Sequence, residues 1–250
     1  MTSLTRLDCG RLEGGLAMFE TGGEGRVTLP VNAWLVRHPK GSVLFDAGMP
    51  ASFTATTERT ERISKFLAIE FAGADTVAAQ LEEQDQDPRR VDMVVVSHLH
   101  FDHVGGLSMI PNARVIIQRA EWEAGLAAAE NPATVHPSED FDLGHDLVLI
   151  DGEHDVFGDG AVVCIPTPGH TAGHQSLKVR LASGDEVVLT SDCCYFARTL
   201  DGGALPSFGF DLDRQRESLE RLRNLRDKGA RIIPGHDLQV VTALPRTLGG

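Results

Sequence analysis

Apolar positions fall in short runs separated by polar or turn-forming stretches, and the spacing inside each run predicts an element. VTLPVNAWLVR (27–37) alternates well enough to form a strand, HPKG turns the chain, and SVLFDAG (42–48) returns it, so the three predict a hairpin. Residues 51–87 are richer in charge and alanine; helices fit over 58–70 and 74–84, with Pro88 closing the stretch. VDMVVVS (91–97) is a short, continuously apolar strand, and ARVIIQ (113–118) is another strand. AEWEAGLAAAE (120–130) is helical by propensity. Residues 131–146 are polar, contain two prolines and predict a loop that could serve as a lid.

Four more strands are expected, at 147–150, 161–166, 175–181 and 186–192. The clearest helix lies within DLDRQRESLERLRNLRDKG, where Leu212, Leu219, Leu222 and Leu225 recur at helical spacing and Gly229 supplies a stop. RIIPGHD (231–237) then gives a short strand and a loop. No repeat and no linker composition interrupts this order. One mixed α/β domain over residues 1–250 is the simplest account.

Composition narrows the classes. The 250 residues suffice for a sizeable core, and 42% hydrophobic with 24% charged residues is ordinary for a globular protein. A net charge of −13 argues against a nucleic-acid binder. The first fifteen residues lack the basic and apolar regions of a secretory signal, and no run is long enough to span a membrane. Cys9, Cys164, Cys193 and Cys194 form no disulfide framework and no C-x-x-C, which fits reduced thiols in the cytoplasm.

SHLHFDHVGG (97–106) places His98, His100, Asp102 and His103 within six positions. Such a cluster is costly to bury without partners, and a metal is the evident partner. His98 and His100 project alike if the segment is extended, because side chains alternate with period two. Four ligands in six residues exceed what a mononuclear catalytic site needs and suggest two ions sharing a water. His170 in TPGH, Asp192 in TSD and His236 in PGHD also follow predicted strands, so four loops can converge, and a carboxylate such as Asp192 can bridge two cations.

HLHFDH, TPGHTAGH, SD and PGHD, in this order, resemble the metallo-β-lactamase superfamily over most of the chain. The resemblance implies an αβ/βα sandwich, two mixed sheets flanked by helices. It implies that His98, His100 and His170 hold one ion, that Asp102, His103 and His236 hold a second, and that Asp192 bridges. Zinc suits these ligands; iron, cobalt or manganese would tolerate them. Redox members usually carry a glutamate where His100 stands, and true lactamases generally lack the bridging aspartate. Glyoxalase-type thioesterases share the seven ligands but usually end in a basic helical domain, and few residues follow His236.

LPVNAWLVRHPKGSVLFDAGMP (29–50) is similar to the N-terminal half of the N-acyl-homoserine lactone lactonases. Tyr195, the only tyrosine, stands three residues after Asp192, where that branch has a tyrosine facing the substrate carbonyl. The resemblance thus implies a quorum-quenching lactonase: a metal-bridging hydroxide attacks the lactone, Tyr195 and one ion stabilise the oxyanion, and Asp102 passes the proton to the leaving oxygen. It is compatible with a homodimer, with a small-molecule lactone as the partner. Another lactone, a thioester or a phosphotriester remains an alternative substrate, since the scaffold does not choose.

Around this set, Met49 and Phe101 are expected to contact substrate, and Phe53, Phe66, Phe208 and Phe210 are further candidates for an apolar pocket. Segments 51–75 and 131–146 depart from the family pattern and are expected to build that pocket. Asp46 reads either as a carboxylate that orients a ligand histidine or as a turn residue. His174 reads as structural, His136, His145 and His154 as solvated, and Cys193 and Cys194 as small buried groups. Gly105 and Gly106 read as allowing close packing behind the ligand loop.

Overall fold

The computed structural model describes residues 1–130 and 137–249. Its strands are β1 (Ser3–Gly15), β2 (Arg26–His38), β3 (Gly41–Phe45), β4 (Leu67–Glu70), β5 (Met93–Val95), β6 (Arg114–Gln118), β7 (Leu147–Ile150), β8 (His154–Asp155), β9 (Val162–Pro166), β10 (Gln175–Arg180), β11 (Glu186–Leu189), β12 (Arg231–Ile233) and β13 (Thr247–Leu248). They make two sheets. The first runs β13-β1-β2-β3-β5-β6-β7, with β4 added to β1; the second runs β12-β11-β10-β9-β8. Both are mixed: β3, β5, β6 and β7 pair in parallel, as do β11 and β12, and the other pairs are antiparallel.

The apolar runs are continuous because both faces of each sheet are covered. Trp34, Val36, Val43 and Phe45 point to the space between the sheets, where they meet Cys164, Leu177, Val187 and Leu189. Their neighbours Leu35 and Leu44 point the other way, into a core shared with Leu81 and Trp122 on helices Val77–Glu82 and Arg119–Ala129. Val188 does the same in the second sheet, meeting Leu219 and Leu222 on helix Leu212–Asp227. The layers are therefore helix, sheet, sheet, helix, the sandwich that the resemblance implied. Among the described residues no helix is long and apolar enough to cross a membrane.

The hairpin forms as expected, with His38 paired to Gly41. The long helix begins on Asp211, whose side chain accepts from the N–H groups of Asp213 and Arg214, and ends before Gly229 at φ +104°. Three expectations are corrected. The helix over 58–70 stops at Ile63; Leu67–Glu70 is a strand, because Leu67 and Ile69 alternate with Ala68 and Glu70 and find an open edge on β1. The second helix is only Val77–Glu82, capped by Thr76. The strand over 186–192 ends at Leu189, and Ser191–Cys193 is a tight turn with Ser191 at φ +47°. In 131–146, residues 131–136, including His136, lie outside the described residues. In the remainder, Phe141 packs edge-on to Trp122, and Asp140 accepts from Arg59 Nη1 at 2.8 Å.

Candidate metal centre

The four polar loops converge. HLHFDH follows β5, and its last three residues open the one-turn helix Phe101–Val104. PGH follows β9, Asp192 follows β11 and His236 follows β12. Backbone contacts hold the first loop on the FDAGMP segment: Ala47 N–H donates to His103 O at 2.6 Å and Gly106 N–H to Gly48 O at 3.1 Å. A Cβ at Gly105 would overlap the Pro50 ring, and one at Gly106 the Ala47 carbonyl oxygen. These glycines serve close approach, not anion binding.

Seven donors form two groups: His98, His100, His170 and Asp192, then Asp102, His103 and His236. In the first, His100 Nδ1 lies 2.8 Å from His98 Nε2 and 2.9 Å from His170 Nε2. Asp192 stands between the groups. Its Oδ2 is 3.2 Å from His170 Nε2 and 3.7 Å from His98 Nε2. Its Oδ1 is 2.9 Å from His236 Nε2 and 3.1 Å from His103 Nε2. Asp102 Oδ2 completes the second group, 3.5 Å from His103 Nε2. One carboxylate thus offers an oxygen to each group.

The outer nitrogens set the tautomers. His236 Nδ1–H donates to Pro30 O at 2.9 Å, and His103 Nδ1–H donates to Asp46 Oδ2 at 2.9 Å. Ser97 Oγ donates to Asp46 Oδ2, so it accepts from His98 Nδ1–H at 2.9 Å. In each case the Nε2 lone pair is turned inward, as a metal-binding imidazole requires. Asp46 is therefore the orienting carboxylate.

Charge makes the same point. Asp46, Asp102 and Asp192 are all buried. Burial alone would raise Asp192, but His103, His236 and His170 hold it well below the usual carboxylate range. Asp102 is lowered likewise, with His103 outweighing burial. Burial pushes His170 down to about 3 and His98 well below its ordinary value. Burial would also lower His103, yet Asp192, Asp102 and Asp46 around it raise it well above. His103 Nε2 and His170 Nδ1 have no hydrogen-bond partner among the described residues. Converging lone pairs and buried carboxylates with an unpaired nitrogen between them fit a pair of divalent cations.

Tyr195 is buried, stacked on the His236 ring at 5.4 Å and 5.8 Å from that of His170. Burial, then Asp192, raises its hydroxyl well above its ordinary value, so it remains an O–H donor. It stands with Asp102, Asp192 and His236 in the wall of an apolar cavity of about 260 Å³. Phe66, Phe101 and Phe208 are in that wall too. Phe66 comes from the strand turn after Ile63, so the divergent 51–75 segment does contribute to the pocket.

Met49 does not. It is 1% exposed, sits in the core against Gly10, and is absent from the cavity wall, because Gly48 at φ +69° turns the chain inward before it. Phe53 is core as well, packed on Phe101 at 5.5 Å. Phe210 is largely exposed beside a neighbouring cavity that also touches His100 and His170. His174 is structural: its Nδ1 is 2.9 Å from Thr167 Oγ1, and it belongs to neither donor group. His145 is not solvated but donates from Nε2 to Ile110 O at 3.1 Å, and His154 is half-buried in β8. All four cysteines are free and buried.

Several supporting residues have no sequence signal. Ser97 and Ser191 extend the Asp46 network, with Ser191 Oγ donating to Ser97 Oγ at 2.9 Å. Gln215 Nε2 donates to the Asp192 and Cys193 carbonyls at 3.2 and 3.1 Å. Only the fact that Ser97 and Ser191 adjoin ligands could have flagged them.

Two layers of sheet, with seven inward donors where their loops meet, define a metal-dependent hydrolase. The chain belongs to the metallo-beta-lactamase superfamily, whose family model matches residues 26–236. It is 32% identical over 218 residues to the N-acyl homoserine lactonase AttM of Rhizobium johnstonii, covering 84% of this chain and 82% of that protein. It is 31% identical over 222 residues to the N-acyl homoserine lactonase AiiA of Bacillus thuringiensis subsp. kurstaki, covering 85% and 83%. A solved N-acyl homoserine lactone hydrolase, with the product N-hexanoyl-L-homoserine at its catalytic metal centre, superposes with a TM-score of 0.84 at 26% identity over 97% of this chain and 96% of that one. These relatives are similar to this chain over nearly its whole length.

Proposed function

We propose that this protein hydrolyses the lactone ring of N-acyl-homoserine lactones and so removes a quorum-sensing signal. The observation that carries the reading is the apolar cavity, whose wall includes Tyr195 and the donors His100, Asp102, Asp192 and His236. It suits a substrate with a polar ring at one end and an acyl chain at the other.

His98, His100 and His170 would hold one cation, Asp102, His103 and His236 the second, and Asp192 both. Zinc fits five imidazoles and two carboxylates best. Two such cations acidify a water and polarise a carbonyl. The chain's own groups do the rest. Tyr195 Oη–H donates to the oxygen that gains charge at the attacked carbonyl. Asp102, with its side chain the more open of the two ligand carboxylates, accepts a proton at its carboxylate oxygen and returns it to the departing ring oxygen. Phe101, Phe66 and Phe208 take the acyl chain and exclude water. The four free thiols support a reducing, cytoplasmic setting, and we take residues 1–250 as one hydrolase domain.

A pH-indicator assay on metal-replete protein tests this, with short- and long-chain acyl-homoserine lactones, a simple γ-lactone, a glutathione thioester and paraoxon side by side. Acid should be released fastest from the acyl-homoserine lactones. Faster turnover of the thioester or paraoxon would refute the reading.

A further inference from the structure

Behind the centre, helix Arg119–Ala129 carries a buried acid, Glu121, that belongs to neither donor group. Its oxygens accept from the backbones of two ligand loops. Oε1 accepts from Leu99 N–H at 3.1 Å, and Oε2 accepts from Gly173 N–H at 2.9 Å. Leu99 lies between His98 and His100, on the loop leaving the first sheet. Gly173 lies between His170 and His174, on the loop leading into β10 of the second sheet. The contact is too close for side chains on either side: a Cβ at Gly173 would overlap the Glu121 backbone, and one at Gly125 the Leu99 side chain.

The first donor group draws His98 and His100 from one sheet and His170 from the other, so its geometry depends on the spacing of those two loops. We propose that Glu121 is a positioning residue: it fastens the His98–His100 loop to the His170 loop and thereby sets the affinity of that group for its cation. The role requires a carboxylate. The Leu99 and Gly173 groups are both N–H donors, so a glutamine would satisfy one and oppose the other with its own NH₂. The second group, Asp102, His103 and His236, has no bond to Glu121 among those described. The effect is therefore selective for one ion. The proposal rests on reading the two donor groups as cation sites.

The test compares wild type, Glu121→Gln, Glu121→Asp and a control, Leu222→Ala, buried under the opposite helix layer. Each protein is stripped with chelator and titrated with cobalt(II), then with zinc, following visible absorption and chelator competition. Wild type should take two equivalents. Glu121→Gln should lose about 10–100-fold in affinity for one ion, the usual effect of removing an outer support, and leave the other unchanged. Glu121→Asp should recover part of that loss. Leu222→Ala should melt earlier yet bind both ions as wild type does. Two wild-type affinities in Glu121→Gln would overturn the role of Glu121 alone, whereas a wild type that bound no metal would overturn the donor-group reading with it. Amide exchange on wild type decides the matter without a variant. The N–H groups of Leu99 and Gly173 should be protected in the metal-free protein; free exchange of either would overturn the proposal.

Discussion

Asp46 offers the sharpest test of how the centre is held. Its buried carboxylate accepts from Ser97 N–H at 2.7 Å, Ser97 Oγ–H at 2.9 Å and His103 Nδ1–H at 2.9 Å. Asp46→Ala leaves the Ser97 and His103 N–H groups buried and unpaired, at about 1–3 kcal/mol each. Its backbone is also left-handed, at φ +60°, which costs an alanine ~1 kcal/mol more than an aspartate or asparagine. The metal-free protein should therefore lose about 5 kcal/mol. Asp46→Asn separates the terms. It tolerates the backbone and keeps an acceptor for Ser97, but turns an NH₂ toward His103. His103 then relieves the clash by moving its proton to Nε2, the nitrogen that faces Asp192 and Asp102. That removes a lone pair from the second donor group, so zinc affinity there should fall about 10–100-fold with a smaller stability loss, about 1–3 kcal/mol. Urea unfolding of the stripped protein measures stability, and chelator competition measures affinity. Asp46→Ala within ~0.5 kcal/mol of wild type, the spread of ordinary surface changes, or Asp46→Asn with both ions at native affinity, would refute the argument.

Other consequences are direct. Tyr195→Phe removes a single donor from the cavity wall; kcat should fall about 100-fold, as for other oxyanion donors, with both metals retained, and unchanged kinetics would take Tyr195 out of the chemistry. Asp192→Asn deprives both donor groups of a charge and should lose metal as well as activity; full occupancy by elemental analysis would end the bridging role. Gly106→Ala drives a Cβ into the Ala47 carbonyl and should cost about 3 kcal/mol in urea unfolding. Burial lifts the thiols of Cys9, Cys164 and Cys194 to about 12 and that of Cys193 well above its ordinary value. At pH 8 only about one in ten thousand would be thiolate, so a thiol reagent should label none in the folded protein and four in denaturant.

Much of the fold was legible. β5 announces itself because a strand covered on both faces is apolar throughout, the β2–β3 hairpin through its alternation and turn, β6, β7, β9 and β10 through short apolar runs, and the long helix because its leucines recur with its caps in place. β1 was not recognised: TSLTRLDCGRLEGG mixes charge with Gly10, where the register shifts, and its length shows only in the pairings it makes on both sides. Leu67–Glu70 failed for a related reason. Four residues of weak alternation become a strand only because β1 presents an edge. The donors were legible because each is a metal-binding residue in a short turn directly after a strand, a local arrangement that spacing exposes.

Of the residues that hold those donors in place, Asp46 was legible only as one of two readings and Glu121 and Gln215 not at all, and the reason is distance along the chain. Asp46 meets His103, Glu121 meets Gly173, and Gln215 meets the Asp192 carbonyl only after the two sheets have packed. Met49 shows the same limit from the other side. Outside a regular element no period assigns a side chain to a face, and a left-handed glycine before it sent Met49 into the core. Local order along the chain carries the identity of the ligands and the strands that end in them. Their convergence, the split of Asp192 between two groups and the choice of inward nitrogens depend on contacts between segments far apart in sequence, which short-range periodicity does not encode.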